Sequence, residues 1–105
     1  MTPRRYRIVY DSHVIRHLQA IERRFHSLTR ITIETQLAYE PQVQARNRKP
    51  LARATPFGAR WELRLGDNNQ FRIFCSVDPD KMIVSILAIG VKRRERLVIG
   101  GRETE

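Results

Sequence analysis

Apolar and polar residues alternate through the central part of the chain, residues 59–96. Every second residue is apolar in residues 60–65, and the same alternation returns in residues 70–77. A period of two predicts β-strands that have one packed face and one open face. Residues 66–69, Gly-Asp-Asn-Asn, favour a turn between them, because glycine and asparagine tolerate positive φ. We therefore expect a β-hairpin here.

A third strand, of a different kind, follows the hairpin. Residues 78–80, Asp-Pro-Asp, are typical of a second turn, and residues 82–89 are then apolar on both sides of the chain. Such a run predicts a central strand that is covered on both faces.

The register of the hairpin follows from its apolar residues, since directly opposed residues of an antiparallel pair lie on the same face of a sheet. Matching the two apolar sets pairs Leu65 with Phe71, Leu63 with Ile73 and Trp61 with Cys75.

The same register brings like charges together on the other face. It places Arg64 opposite Arg72, with Glu62 opposite Phe74. Like charges that face each other across a strand pair cost stability, about 0.2–1 kcal/mol. Two explanations are open: the arginines hold an anion, or Glu62 bridges both of them in an ordinary surface ion cluster, which contributes little.

The first forty residues predict a strand and two helices. Residues 5–10 are rich in strand-forming residues, and Asp11-Ser12 favours a helix start. Apolar residues then recur every three or four positions, which predicts an amphipathic helix that ends at His26-Ser27. A second helix, capped by Ser27 or Thr29, is expected to end before Pro41. Its predicted buried side consists of Leu28, Ile31, Leu37 and Ala38. The two helices should form a hairpin against one face of the sheet, which gives an α+β fold.

The remaining segments lack a strong periodicity. Residues 41–58 contain three prolines and four basic residues, which predicts an extended surface loop that either contacts phosphate or is simply solvated. Residues 97–99 are apolar enough to pack as a short added strand that Gly100-Gly101 ends. We expect the tail, residues 97–105, to be partly flexible and residues 103–105 to be frayed.

Composition narrows the class of protein. The 105 residues suit one domain, residues 1–105, and the net charge of +9 indicates a polyanionic partner. A single cysteine, Cys75, excludes an intrachain disulfide and favours a reducing cytoplasm. His13 and His17 are four residues apart, but no matching carboxylate or third histidine accompanies them except His26 in the following turn, so we expect surface residues and no metal. No apolar run reaches transmembrane length, and no signal peptide is predicted.

Five short motifs occur in a fixed order along this framework. They are A-R-N-R-K-P-L (45–51), W-E-L-R-L-G (61–66), F-R-I-F (71–74), I-L-A-I-G-V-K (86–92) and R-L-V-I-G-G (96–101). In this order they resemble the RelE/ParE superfamily of bacterial toxin–antitoxin toxins, over nearly the whole chain. The resemblance implies an N-terminal strand and a helical hairpin packed on a small twisted, mainly antiparallel sheet. RelE-like toxins cleave mRNA, usually on the ribosome, whereas ParE-like toxins poison DNA gyrase; an antitoxin neutralises both.

The resemblance also implies site residues. Arg64 matches a basic position of the hairpin, Arg72 the arginine of the F-R-I-F motif, and Arg93 (or Lys92) the basic residue after the last strand's glycine. Glu62 falls on another basic position and reverses its charge. A tail tyrosine of the RelE type is absent, because its position falls near Val98 or Ile99.

RNA cleavage through the 2′-hydroxyl requires a proton acceptor and stabilisation of charge on the phosphate. We therefore expect a cytoplasmic, metal-independent mRNA endoribonuclease with no cofactor, in which Glu62 is the base and Arg64, Arg72 and Arg93 bind phosphate. The RNA-binding residues expected around them are Arg46, Arg48, Lys49, Arg53, Arg60, Lys92 and Arg94. The expected partners are an antitoxin, in a hetero-oligomer, and mRNA with or without the ribosome. A gyrase inhibitor and a non-catalytic relative are the alternatives.

Strict alternation makes one further prediction for the face that carries Arg64 and Arg72. It puts Phe74 there, together with Ile83, Ser85, Leu87 and Ile89 of the third strand. This apolar surface should be covered either by the tail, residues 97–99, or by an antitoxin segment.

Overall fold

The computed structural model describes residues 4–104 and has an α+β fold. Its helices are α1 (Val14–Gln19) and α2 (His26–Leu37), with short 3-10 turns at Arg23–Phe25 and Asp67–Asn69. Its strands are β1 (Arg7–Tyr10), β2 (Arg48–Pro50), β3 (Trp61–Leu65), β4 (Phe71–Asp78), β5 (Ile83–Arg93), β6 (Arg96–Ile99) and β7 (Arg102–Thr104).

The strands form one mainly antiparallel sheet in the order β2-β3-β4-β5-β6-β7. β1 adds to β5 as the parallel member, opposite residues 83–86, and β6 pairs with residues 90–93 of the same strand. Since β4 occupies the other side of β5, β1 and β6 share one side of this central strand. The predicted fold class is confirmed.

The hairpin β3–β4 has the predicted register. Leu65 opposes Phe71, Arg64 opposes Arg72 and Glu62 opposes Phe74. The apolar set of both strands lies on the face that the helices cover, where it forms the main core with residues of α1, α2 and β5. We call the opposite face of the sheet the arginine face.

A β-bulge in β5 makes one part of the prediction for the arginine face wrong, the position of Ile89, whereas Leu87 lies beside Phe74 as predicted. Phe74 pairs with Ala88 but the next residue, Cys75, pairs with Ile86, so Leu87 has no directly opposed residue in β4. An extra residue reverses the alternation of side chains beyond it. Ile89 therefore lies buried in the helix-side core, and Gly90 lies on the arginine face.

The apolar part of the arginine face is covered from within the chain. Phe74 and Ala88 form a small second core with Ala59, and the partly buried residues against it are Leu51, Leu87, Leu97 and Ile99. The ring of Phe57 packs edge-on against Phe74 at a centroid distance of 5.9 Å. The tail therefore covers this surface, as one of the two predicted alternatives required, and Leu51 and Phe57 of the long loop complete the cover.

The helical region differs from the prediction in two ways. The first helix ends at Gln19 rather than at His26, because Glu22 is extended (φ −54°, ψ 134°). This bend lets Ile21 enter the core and lets the ring of Phe25 pack at a tilt against that of Phe71, with 5.0 Å between the ring centroids.

The phase of α2 also differs. Thr29, Ile33 and Leu37 are its buried residues, and the Thr29 hydroxyl donates to the Phe25 carbonyl at 2.8 Å. Leu28 and Ile31, predicted to be buried, are 46% and 57% exposed. Residues four apart lie on one helix face, so burial of Thr29 and Ile33 turns Leu28 and Ile31 outward.

The loop and the tail are more regular than predicted. Residues 48–50 of the predicted loop form β2 against β3, with Lys49 opposite Glu62. The predicted tail strand is confirmed as β6, and Gly100-Gly101 forms a turn with positive φ at both residues. Residues 103 and 104, predicted to be frayed, belong to β7, where they pair with β6; Glu105 lies outside the described residues. Within residues 4–104, no helix has the length and apolar character needed to cross a membrane.

Candidate nucleic-acid interface

Glu62, Arg64 and Arg72 form one ion cluster on the arginine face. The Oε1 atom of Glu62 accepts hydrogen bonds from Nε of Arg64 at 2.5 Å and from Nη1 of Arg72 at 3.4 Å. The side chains of Glu62 and Arg72 are only 12% and 15% exposed, whereas Arg64 is 34% exposed. The carboxylate thus supplies the negative charge that allows two arginines to face each other.

The turn between β3 and β4 holds Arg72 in place. Nε of Arg72 donates to the carbonyl of Asn69 at 2.9 Å, and Asn68 and Asn69 both have positive φ (55° and 53°). Gly66, which opens the turn with φ 83°, has no room for a side chain, since a Cβ would lie 2.7 Å from Cδ2 of Phe71. The pKa of Arg72 is lowered from its ordinary value, because burial and the charge of Arg64 outweigh the opposite effect of Glu62.

Of the two explanations left open by the sequence, the structure shows the bridge by Glu62. The bridge does not use all the hydrogen-bonding groups of the three side chains. A guanidinium has five N–H donors, and the bonds of Arg64 and Arg72 to described residues use one and two of them. Both bonds to Glu62 use Oε1. The cluster therefore combines donors suited to a phosphate with one carboxylate oxygen, Oε2, that these bonds leave available.

Arg93 is not on this face. Gly90 lies directly opposite Arg72, so alternation along β5 places Lys92 on the arginine face and Arg93 on the other. Val91, which shares the face of Arg93, packs against the helix-side core, in agreement with this assignment. The basic residue after the glycine is therefore Lys92, whose backbone N–H donates to Gln70 at 2.7 Å.

Arg48, predicted to bind RNA, is buried and hydrogen-bonded within the fold. It is 7% exposed, and its guanidinium donates to the carbonyl of Val43 (2.7 Å) and to that of Gln36. These bonds fasten the end of α2 and the following loop to β2. Its burial and these two bonds leave little of the guanidinium exposed for the predicted role in RNA binding.

Two of the other predicted RNA-binding residues share the arginine face. Lys49 opposes Glu62 directly, and alternation from Glu62 puts the exposed Arg60 on the same side. Arg46 and Arg53 are exposed in the long loop, and Arg94 is exposed in the β5–β6 turn with φ 57°. No contact of the described residues connects these three with Glu62.

Sequence reasoning missed Arg102. It opposes Ile99 in β7, and Ile99 opposes Gly90, so a row of opposed residues runs from Arg64 through Arg72, Gly90 and Ile99 to Arg102. The sequence analysis did not predict β7, although Gly100-Gly101 favours a turn that leads into another strand. Within residues 4–104, no three His, Cys, Asp or Glu side chains are grouped to hold a metal ion.

Comparisons with known proteins bear on the fold. No family model matches the sequence, and no curated protein matches it. Among solved structures, a chain of the RelBE2 toxin–antitoxin complex of Mycobacterium tuberculosis aligns with a TM-score of 0.68 and 23% identity, over 88% of this chain and 94% of that one. A match at this identity establishes a shared fold, so the chain has the RelE-like fold that its motifs predict.

Proposed function

We propose that this protein is the toxin of a toxin–antitoxin pair and cleaves mRNA. The observation that carries the proposal is the cluster on the arginine face, where Arg64 and Arg72 flank the Glu62 carboxylate and Lys92 shares their side of the sheet. The likeness to a chain of a toxin–antitoxin complex supports the toxin role. The net charge of +9 suits an RNA substrate.

The cluster offers two of the groups that cleavage by the 2′-hydroxyl needs. The Oε2 atom of Glu62 accepts the proton of the 2′-hydroxyl while the 2′-oxygen of the RNA attacks the adjacent phosphorus. The remaining N–H groups of Arg64 and Arg72 stabilise the charge that develops on the phosphate oxygens. The bond from phosphorus to the 5′-oxygen then breaks, and Lys92 is the cation on this face that donates the proton to the leaving oxygen. The products are a 2′,3′-cyclic phosphate and a 5′-hydroxyl.

Primer extension on a defined mRNA, with and without ribosomes, tests this function. The wild type is expected to give discrete cuts that the Arg64→Ala/Arg72→Ala variant loses. Glu62→Gln keeps the shape of the side chain but removes the base, so we expect cleavage to fall about 100-fold or more. Full cleavage by Glu62→Gln would refute the assignment of the base.

Lys92 and Arg93 make a matched pair for the same assay. They are neighbours in sequence, but only Lys92 shares the face of Arg72. Lys92→Ala should therefore lower cleavage much more than Arg93→Ala, although both remove one positive charge. Equal losses would indicate a general electrostatic effect of the tail on RNA binding instead.

A second function has two observations in its favour. Glu62 bridges both arginines, and the position of the RelE-type tyrosine is taken by apolar residues, of which Ile99 packs in the second core. A toxin that acts by protein contact, with DNA gyrase as its target, requires neither a free arginine pair nor a tyrosine. Inhibition of gyrase supercoiling, together with no cuts in primer extension, would establish this second function.

The proposed antitoxin partner has a suitable surface on the helical hairpin. The exposed large apolar residues there are Ile15, Leu28, Ile31 and Tyr39. An acidic, amphipathic segment would cover them and complement the charge of the chain. Ile15→Lys/Ile31→Lys is therefore expected to keep the toxic activity but to escape neutralisation by the co-expressed antitoxin.

A further inference from the structure

β5 has a gap on the side that it shares with β1 and β6. β1 pairs with residues 83–86, and the N–H of Asp11 then donates to the Ile86 carbonyl at 2.9 Å. β6 begins to pair at Gly90. Between them, residues 87–89 pair with neither β1 nor β6, and the bulge at Leu87 lies within this gap.

The side chain of His17, from α1, fills the gap. The backbone N–H of Ile89 donates to Nδ1 of His17 at 3.2 Å. The ring also lies against the β6–β7 turn, since a Cβ on Gly100 would be 3.1 Å from Cδ2 of His17. One imidazole therefore contacts β5 directly after its bulge and the turn of the tail hairpin.

This contact requires the neutral ring. Nδ1 accepts a hydrogen bond only when the proton is on Nε2, and a protonated imidazole would present an N–H to the N–H of Ile89. Burial lowers the pKa of His17, as do the neighbouring His13 and Arg16, while Asp11 raises it. Ile89 and Gly100, which approach the ring from the sheet and the tail, carry no charge.

We propose that His17 is a positioning residue that holds β5 in register across its bulge and so keeps Lys92 on the arginine face. Ile89 is the second residue after the bulge at Leu87, and Gly90, the next, lies between Arg72 and Ile99. Without its acceptor, the N–H of Ile89 would be satisfied only if β5 shifted or water entered. The effect of His17 on cleavage rests on the proposed function, whereas its effect on β5 does not.

Two substitutions separate the acceptor from the rest of the side chain. His17→Asn places its Oδ1 near the position of Nδ1 and does not titrate, whereas His17→Gln carries its amide farther out, near Nε2. His13→Asn, on the exposed residue one turn earlier, is the control. The measurement is hydrogen exchange of the Ile89 amide by NMR in the full chain, expressed as a protection factor at each pH.

In the wild type, protection of Ile89 is expected to fall about tenfold as the His17 ring becomes protonated, the effect of losing one hydrogen bond. His17→Asn should keep the protection at both ends of the titration, and His17→Gln should lack it throughout. His13→Asn should show the same fall in protection as the wild type, with its midpoint at a slightly higher pH because His13 no longer lowers the pKa of His17. A constant protection factor while the ring signals of His17 titrate would overturn the proposal, and so would equal protection in the Asn and Gln variants.

Primer extension then tests the link to cleavage. His17→Gln is expected to lose cleavage and His17→Asn to keep it. Cleavage at the wild-type rate by His17→Gln, with Ile89 unprotected, would refute the link to Lys92. If the wild type cuts no RNA, the proposed function fails, and the exchange data still decide whether His17 positions β5.

Discussion

Replacing Arg48 with alanine is expected to destabilise the fold strongly. Its guanidinium donates to the carbonyls of Val43 and Gln36 in a site where the residue is 7% exposed. A hydrogen bond from a charged donor contributes about 1.5–3 kcal/mol, so two of them give about 3–6 kcal/mol. Domains of this size are stable by only about 5–15 kcal/mol, so the loss is a large part of the total.

Urea unfolding measures this loss directly. The chain has one tryptophan, Trp61, which lies in β3 opposite Pro50 of the strand that Arg48 begins, so its fluorescence reports on this region. With a slope of about 1.5 kcal/mol per molar urea, a loss of 3 kcal/mol lowers the midpoint by about 2 M. Arg48→Met retains most of the buried volume without the donors, and its midpoint should fall nearly as far.

Arg46→Ala is the matched control, because it removes the same charge from an exposed loop position two residues earlier. Its free energy of unfolding should stay within about 0.5 kcal/mol of the wild type. The reasoning is refuted if Arg48→Ala unfolds within 1 kcal/mol of the wild type. Lost RNA binding at unchanged stability would restore Arg48 to the RNA-binding surface.

Three further predictions concern other parts of the sheet. Gly90→Ala should cost about 1–3 kcal/mol, because its Cβ would lie 3.0 Å from side-chain atoms of Ile99 and Leu97; a thermal melt at the wild-type temperature would contradict this. Burial raises the pKa of Cys75 to about 12, so iodoacetamide at pH 8 should label it only after addition of urea, and rapid labelling of the native protein would contradict its burial. The pKa of His17 is lowered in the folded protein, so the unfolded chain binds this proton more readily. The contribution of His17 to the free energy of unfolding should therefore be full above about pH 6.5 and should be lost as the pH drops toward the native pKa. His17→Asn should flatten this part of the plot of stability against pH, and an unchanged slope would contradict the shift.

The hairpin could be predicted in detail because two independent patterns agree there. Period-two alternation identified both strands, and pairing of like faces then gave the register of Arg64 and Arg72 that the structure shows. The bridge by Glu62 was one of two explanations for the facing arginines, the other being a bound anion, and only the positions of the side chains could decide between them.

The bulge in β5 could not be predicted, and it changed the candidate site. Residues 82–89 are apolar except for Ser85, and those on either side of the bulge at Leu87 are all apolar, so shifting the alternation by one residue there leaves no trace in the pattern. As a result, Lys92 rather than Arg93 shares the face of Arg72. The phase of α2 was missed for a similar reason, since both of its sides carry apolar residues and only packing selects Ile33 over Ile31.

The parallel pairing of β1 with β5 determines when this sheet can be completed during synthesis. Arg7 of β1 pairs with Ile83 of β5, so β1 must wait for most of the chain to leave the ribosome before it gains a strand partner. Pairings between distant segments slow folding, because the entropy of closing the loop is lost before the contacts form. The arginine face is assembled over the same interval, since β3 and β4 are complete only after Asp78 and Lys92 follows later still. A nascent chain would therefore carry many of its basic residues long before it could arrange them into a site, which would delay any activity until β5 has been made.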